Sequence, residues 1–218
     1  MTMRPMLFPL GVIMVAVLWL APWSALGVGP FSSHMIVHIG LVALAAPVLV
    51  LGIAGTRFDP VARFAAWFPP IQVSMAEFLV VWGWHTPLLH HAARHSRVAL
   101  VAEQSLFLIT GLWLWFAVLG GAAEQRRQRA ALGIIALLLT SIHMTLLGAL
   151  LVLAPRALFG DHAPAGLGEV QLARAALDDQ HMGGTIMLIV GGISYLAGGL
   201  GLTITLLRST AVRPRVSL

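Results

Sequence analysis

Residues 33–54 read SHMIVHIGLVALAAPVLVLGIA. Not one of these side chains carries a fixed charge. About 20 mostly apolar residues are enough for an α-helix to cross the hydrocarbon core of a bilayer, so the stretch reads as a transmembrane helix. Five further stretches of the same kind, about 6–22, 71–91, 98–119, 130–154 and 181–207, bring the total to six spans. They use most of the chain. The fold class that follows is all-α: one transmembrane domain over residues 1–218, built as a polytopic bundle of about six helices. The first span has a signal-peptide layout, with Arg4 ahead of an apolar run and Ala25 and Gly27 as small residues behind it. We expect it to stay as a helix.

Composition agrees with the spans. Of 218 residues 59% are apolar and 10% are charged, against about a quarter charged in an ordinary soluble domain. Mean hydropathy is +0.91. All thirteen basic residues are Arg, scattered through apolar sequence rather than gathered into a face, which argues against a nucleic-acid partner. There is no Cys, so disulfide, thiolate-zinc and iron–sulfur chemistry are excluded. No nucleophile–base motif or phosphate loop is present, so no catalytic residue is assigned.

Loop arginines set the orientation. With the N-terminus inside, the inner side holds Arg4, Arg57, Arg63, Arg126, Arg127, Arg129, Arg208, Arg213 and Arg215. The outer side holds Arg94, Arg97, Arg156 and Arg174. This favours both termini inside, with the run at 124–129 as the clearest inner loop. The segment 168–177 reads as a short amphipathic helix lying on the outer membrane surface.

On that topology His34, His38, His85, His90, His91, His95, His143, His162 and His181 all fall on the outer side. His34 and His38 are four residues apart and share a helix face. His85 precedes Pro87, which withholds a backbone donor and weakens the third span there. His143 lies within the fifth span, where an ionisable side chain is a functional candidate; its bland alternative is a hydrogen bond to Thr140 or Ser141. His-Met occurs at 34–35, 143–144 and 181–182, with Met187 further along. Imidazole with thioether suits Cu(I), although a single Met in a membrane helix is more often packing. Asp178 and Asp179 precede the last span, where one of them is expected as its N-cap. Otherwise a carboxylate there orients a ligand from outside the coordination sphere. Glu103 opens the fourth span. Glu77 is a lone carboxylate in the third, in need of a partner or a proton.

Four motifs occur in order: His-Met-x-x-His at 34–38, Ala-Pro-x-Leu-Val-Leu-Gly at 46–52, Trp-His-x-Pro at 84–87 and Asp-Gln-x-x-Gly at 179–183. Together, over residues 30–205, they resemble the multi-span CtaG family of cytochrome c oxidase assembly factors. The resemblance implies a membrane protein that matures haem–copper oxidases through copper handling. It places His34, Met35, His38, Trp84, His85, Asp179, Gln180 and Gly183 at family positions. Family members usually carry Glu-His where this chain has Glu103-Gln104, so the family's metal site is complete here only if His143 or His181 substitutes. Six spans are also fewer than the family's usual number.

The expected copper ligands are therefore drawn from His34, His38, His85, His143, His181, Met35, Met144, Met182 and Met187. Asp179, Gln180, Glu103 and Trp84 are expected around them. Oxidase subunits, the lipid bilayer and a soluble outer-side copper donor are the expected partners, at the plasma (inner) membrane with the site facing the periplasmic or outer side. Two other readings use the same residues: a b-type haem electron-transfer protein with axial imidazoles, and a metal-free accessory subunit of a respiratory oxidase.

Overall fold

In the computed structural model, which describes residues 4–159 and 168–211, every element is helical. His162, Arg213 and Arg215, used above, lie outside the described residues, as does the side chain of Arg4. The helices are α1 (Arg4–Leu20), α2 (Pro30–Ile53), α3 (Pro60–Trp67), α4 (Pro70–Trp84), α5 (Pro87–His95), α6 (Arg97–Leu119), α7 (Ala123–Leu153) and α8, which runs from Glu169 to Ala211. Four of them, α2, α6, α7 and α8, are long and apolar enough to cross a membrane. A fifth crossing forms if α3 and α4 count as one broken span, bent by 82°. Helix α1, apolar but only 17 residues long, is shorter than that test requires. The chain is thus an all-α polytopic bundle with four or five candidate spans, where the sequence reading expected about six.

The third expected span, 71–91, stops early for the reason its sequence suggested. Pro87 has no amide to give and holds the residue before it out of the helical region. Thr86 is accordingly extended (ψ 143°), and Pro87 restarts the chain as the first residue of α5. Fifteen residues of α4 rise only about 22 Å, short of a hydrocarbon core of about 30 Å.

Helix α2 lies against α1, α6 and α8. Glycines bring its backbone close to α1: a Cβ on Gly52 would sit 2.6 Å from the Phe8 amide nitrogen. Its middle, Gly40–Ala45, is a π-helical turn. Pro47 cannot donate to the carbonyl of Ala43, and Ser194 Oγ of α8 donates to it instead. Trp115 Nε1 of α6 donates to the neighbouring Val42 carbonyl at 2.8 Å. A second π-helical turn, Met187–Gly191, interrupts α8.

Three sequence expectations are corrected. The stretch 168–177 is no separate surface helix: it is the N-terminal part of α8 and runs unbroken into Glu169–Ile186. Residues 124–129 are the first turns of α7, not a loop. And Asp179, now in mid-helix, caps a different element from the one expected. Its carboxylate accepts from the Phe31 amide (2.7 Å) and the Ser32 amide (3.0 Å), at the N-terminus of α2. This contact explains the Asp-Gln-x-x-Gly motif. Gln180 Nε2 donates to the Leu151 carbonyl at 3.1 Å, and its Oε1 accepts from the Leu158 amide at 2.7 Å. Gly183 makes room for α2, since a Cβ there would lie 2.6 Å from Phe31 Cδ1.

At the other end of the bundle Asp59, 1% exposed, accepts from the amides of Gly55, Val61 and Gly121 at 2.7–3.0 Å. It ties the α2–α3 and α6–α7 connections together.

Asp179→Ala should lower stability by about 1–2 kcal/mol, the usual worth of an N-cap. Thermal unfolding in detergent measures it, and an unchanged midpoint would contradict the capping role.

Candidate metal centre

The helix period puts His34 and His38 on one face of α2, and packing turns that face inward, at 3% and 0% exposure. The proline break delivers the third ring. His85 caps α4, and its Nδ1 lies 2.6 Å from the Val81 carbonyl. Since a carbonyl can only accept, Nδ1 carries the hydrogen and Nε2 keeps its lone pair. Helix α5 adds His90, buried at 2% exposure, and α6 adds Glu103 at 0%.

These side chains meet in one cluster. Ring centroids are 5.1 Å apart for His34–His90, 5.2 Å for His38–His85, 6.0 Å for His34–His85 and 6.3 Å for His34–His38. Phe107 stacks on His38 at 4.0 Å. His34, His90 and Glu103 each offer a ligand atom, and the three atoms lie within 4.8 Å of one another. Glu103 Oε2 accepts from Arg94 of α5 at 2.6 Å and lies 3.6 Å from His34 Nδ1. Burial lowers the affinity of the Arg94 guanidinium for its proton, and the Glu103 carboxylate beside it raises it again.

Neither nitrogen of His34 or His38 has a hydrogen-bond partner, nor do His85 Nε2 and Glu103 Oε1. An unpartnered buried polar atom costs about 1–3 kcal/mol. Several of them converging in one place make a ligand set in search of a ligand. Imidazole with a carboxylate and no thiolate suits borderline divalent ions, Cu(II) among them, so the residues present are compatible with copper.

Most of the remaining expected residues are dispersed, but His143 lies within electrostatic reach of His38. His143 is buried with both nitrogens unpartnered, and its ring lies edge-on to Phe78 at 5.4 Å. Thr140 turns to Ser74 and Glu77 instead of to His143. His181 Nε2 is 3.1 Å from the Ala154 carbonyl. Met35 fills the seam against Gly183, Met144 and Met187 are buried, and Met182 is 58% exposed. Trp84 packs, partly buried, against the core. Asp179 and Gln180 bind backbone groups rather than an imidazole. Of the surrounding residues expected, Glu103 is the one brought to the cluster. Sequence reasoning left His90 and Arg94 out of the site. The signal was there: Pro87 resets the helical phase, and His90 and Arg94 then fall four residues apart on one face.

The family model described as cytochrome c oxidase caa3 assembly factor matches residues 1–209 of this chain. Neither the curated proteins nor the solved structures yield a match.

The ion pair between Arg94 and Glu103 generates a prediction of its own. Glu103→Gln should cost about 1–3 kcal/mol by leaving Arg94 underpaired. Combining it with Arg94→Met should cost less than the sum of the two single changes. Strictly additive losses in thermal unfolding would contradict the pairing.

Proposed function

We propose that this chain, which belongs to the cytochrome c oxidase caa3 assembly factor family, binds copper in the cluster of His34, His38, His85 and Glu103 and delivers it during oxidase assembly. The observation that carries this reading is the set of buried imidazole nitrogens without hydrogen-bond partners. Family membership supplies the oxidase as the destination. The donor set supports an ion that is held and then released: imidazole and carboxylate bind copper without the grip of a thiolate trap.

We assign the cluster to the outer side of the membrane. Arg57, Arg63, Arg126, Arg127, Arg129 and Arg208 gather at the end of the bundle away from the cluster, while Arg94, Arg97, Arg156 and Arg174 share its end. More arginine inside than outside supports that orientation. An oxidase subunit and a soluble outer-side copper donor are the partners this placement suits.

Elemental analysis of the purified protein tests the proposal. Wild-type protein should carry copper, and His34→Ala, His38→Ala and His85→Ala should each lose most of it at unchanged helical content. Oxidase maturation in cells should fall with copper content. Copper retained in all three variants, or absent from the wild type after loading, overturns the reading.

A further inference from the structure

Among the described residues, Glu77 is the buried acid of the spanning helices that no cation faces; Glu103 has Arg94. Its carboxyl is 0% exposed on α4. The groups packed on it come from two helices. Tyr195 of α8 donates to Oε1 at 3.1 Å, and Thr140 Oγ1 of α7 lies 3.4 Å from Oε2. Beyond Thr140, the Ser74 hydroxyl is 2.8 Å from Thr140 Oγ1 and 3.2 Å from the Ala136 carbonyl. His143 is the next titratable group along α7, one turn on, with its ring against Phe78. On α6, Trp115 stacks on the Tyr195 ring.

Counting hydrogens bears on the state of the carboxyl. Three oxygen–oxygen contacts run in a line: Ala136 to Ser74, Ser74 to Thr140, and Thr140 to Glu77. Each needs one hydrogen. The carbonyl brings none, and the two hydroxyls bring one apiece. If all three contacts are hydrogen bonds, the third hydrogen comes from Glu77. A neutral acid completes the line, with Oε2–H donating to Thr140, Thr140 to Ser74 and Ser74 to Ala136. An ionised carboxylate leaves one contact without a hydrogen and also leaves a charge in the bundle interior without a counter-ion, which is costly there.

The imidazole cluster stands above it on the same helix. His85 follows Glu77 by eight residues, about 12 Å of helix rise. At that separation, with the screening usual for protein interiors, one added positive charge changes the affinity of a carboxyl for its proton about tenfold.

We propose that Glu77 is a proton-binding site of the bundle interior, coupled to the cluster so that a bound cation weakens its hold on the proton. The step balances: the cation enters, the O–H bond of Glu77 breaks, the proton leaves to water, and the carboxylate remains as counter-charge. Coupling of this kind is reciprocal, so loss of the proton tightens cation binding by the same factor. The coupling rests on the copper reading above; the proton site does not.

Infrared spectroscopy of detergent-purified wild type and Glu77→Gln tests both parts, each sample scanned in pH with and without added copper. The Gln amide keeps the line intact by donating to Thr140, so this variant should fold. The wild type should show a carboxylic-acid carbonyl band at neutral pH that Glu77→Gln lacks. Copper should lower the pH midpoint of its disappearance by about one unit. If no acid band distinguishes the two metal-free proteins, the proton site is overturned. A midpoint unmoved in a sample shown by elemental analysis to hold copper overturns the coupling alone. Failure to take up copper overturns the coupling together with the function it rests on, and the metal-free band still decides the proton site.

Discussion

A backbone carbonyl or amide facing hydrocarbon has no water to turn to, and this constraint organises the bundle. At several helix ends and breaks inside it, a side chain from elsewhere in the fold supplies the missing partner. Asp179 of α8 satisfies the start of α2. Ser194 of α8 and Trp115 of α6 satisfy carbonyls in the π-helical turn of α2. Gln180 serves the last turn of α7 and the segment after it, and Asp59 joins two connections at the far end. Each such repair is also a tether between helices, so satisfying the backbone and fixing the helix arrangement are one act.

Against that background the imidazole cluster is the exception. The backbone breaks around it are repaired, yet His34, His38 and His85 keep bare nitrogens in an apolar enclosure. The enclosure itself is well made. Phe107 stacks on one ring, Asp179 fixes the helix that carries two of them, and the Val81 carbonyl sets the tautomer of the third. Polar atoms held rigidly and left unpaired are preorganised, and an incoming ion then loses little affinity to reordering the site.

What the sequence made legible follows from the range of the interactions involved. The pairing of His34 with His38 is a matter of helix period, and the break at Pro87 is a matter of one missing donor, so both could be read locally. Glu103 was placed near the site because its span begins at the same end. The role of Asp179 was not readable, because its partners lie 147 and 148 residues away and the local pattern suggested a cap for its own helix. For the same reason Glu77 looked solitary. Tyr195 and Thr140 come to it only through packing, across 118 and 63 residues. The segment at 168–177 was read as a surface helix because an amphipathic pattern does not reveal that the next helix continues it without a stop. His90 and Arg94 were left out because their facing depends on where α5 restarts.

The two acids of the interior have opposite relations to charge, and together they set the electrical state that an ion meets. Glu103 is neutralised by a permanent cation, Arg94, at the mouth of the cluster. Glu77, deeper in α4, is neutralised by a removable one, its proton. The histidines add no charge while they are neutral. With Glu77 protonated as proposed and Glu103 paired with Arg94, a cation bound at the cluster brings an uncompensated charge into that part of the bundle. In a low-dielectric setting that is a strained state, which ligation offsets only in part. Release of the Glu77 proton relieves it, and return of the proton restores it. An assembly factor has to hold its cargo long enough to present it and loosely enough to lose it. On the two readings proposed above, a cluster free of thiolates over an acid that trades its proton for the charge of the cargo meets both demands with residues that never leave the bundle.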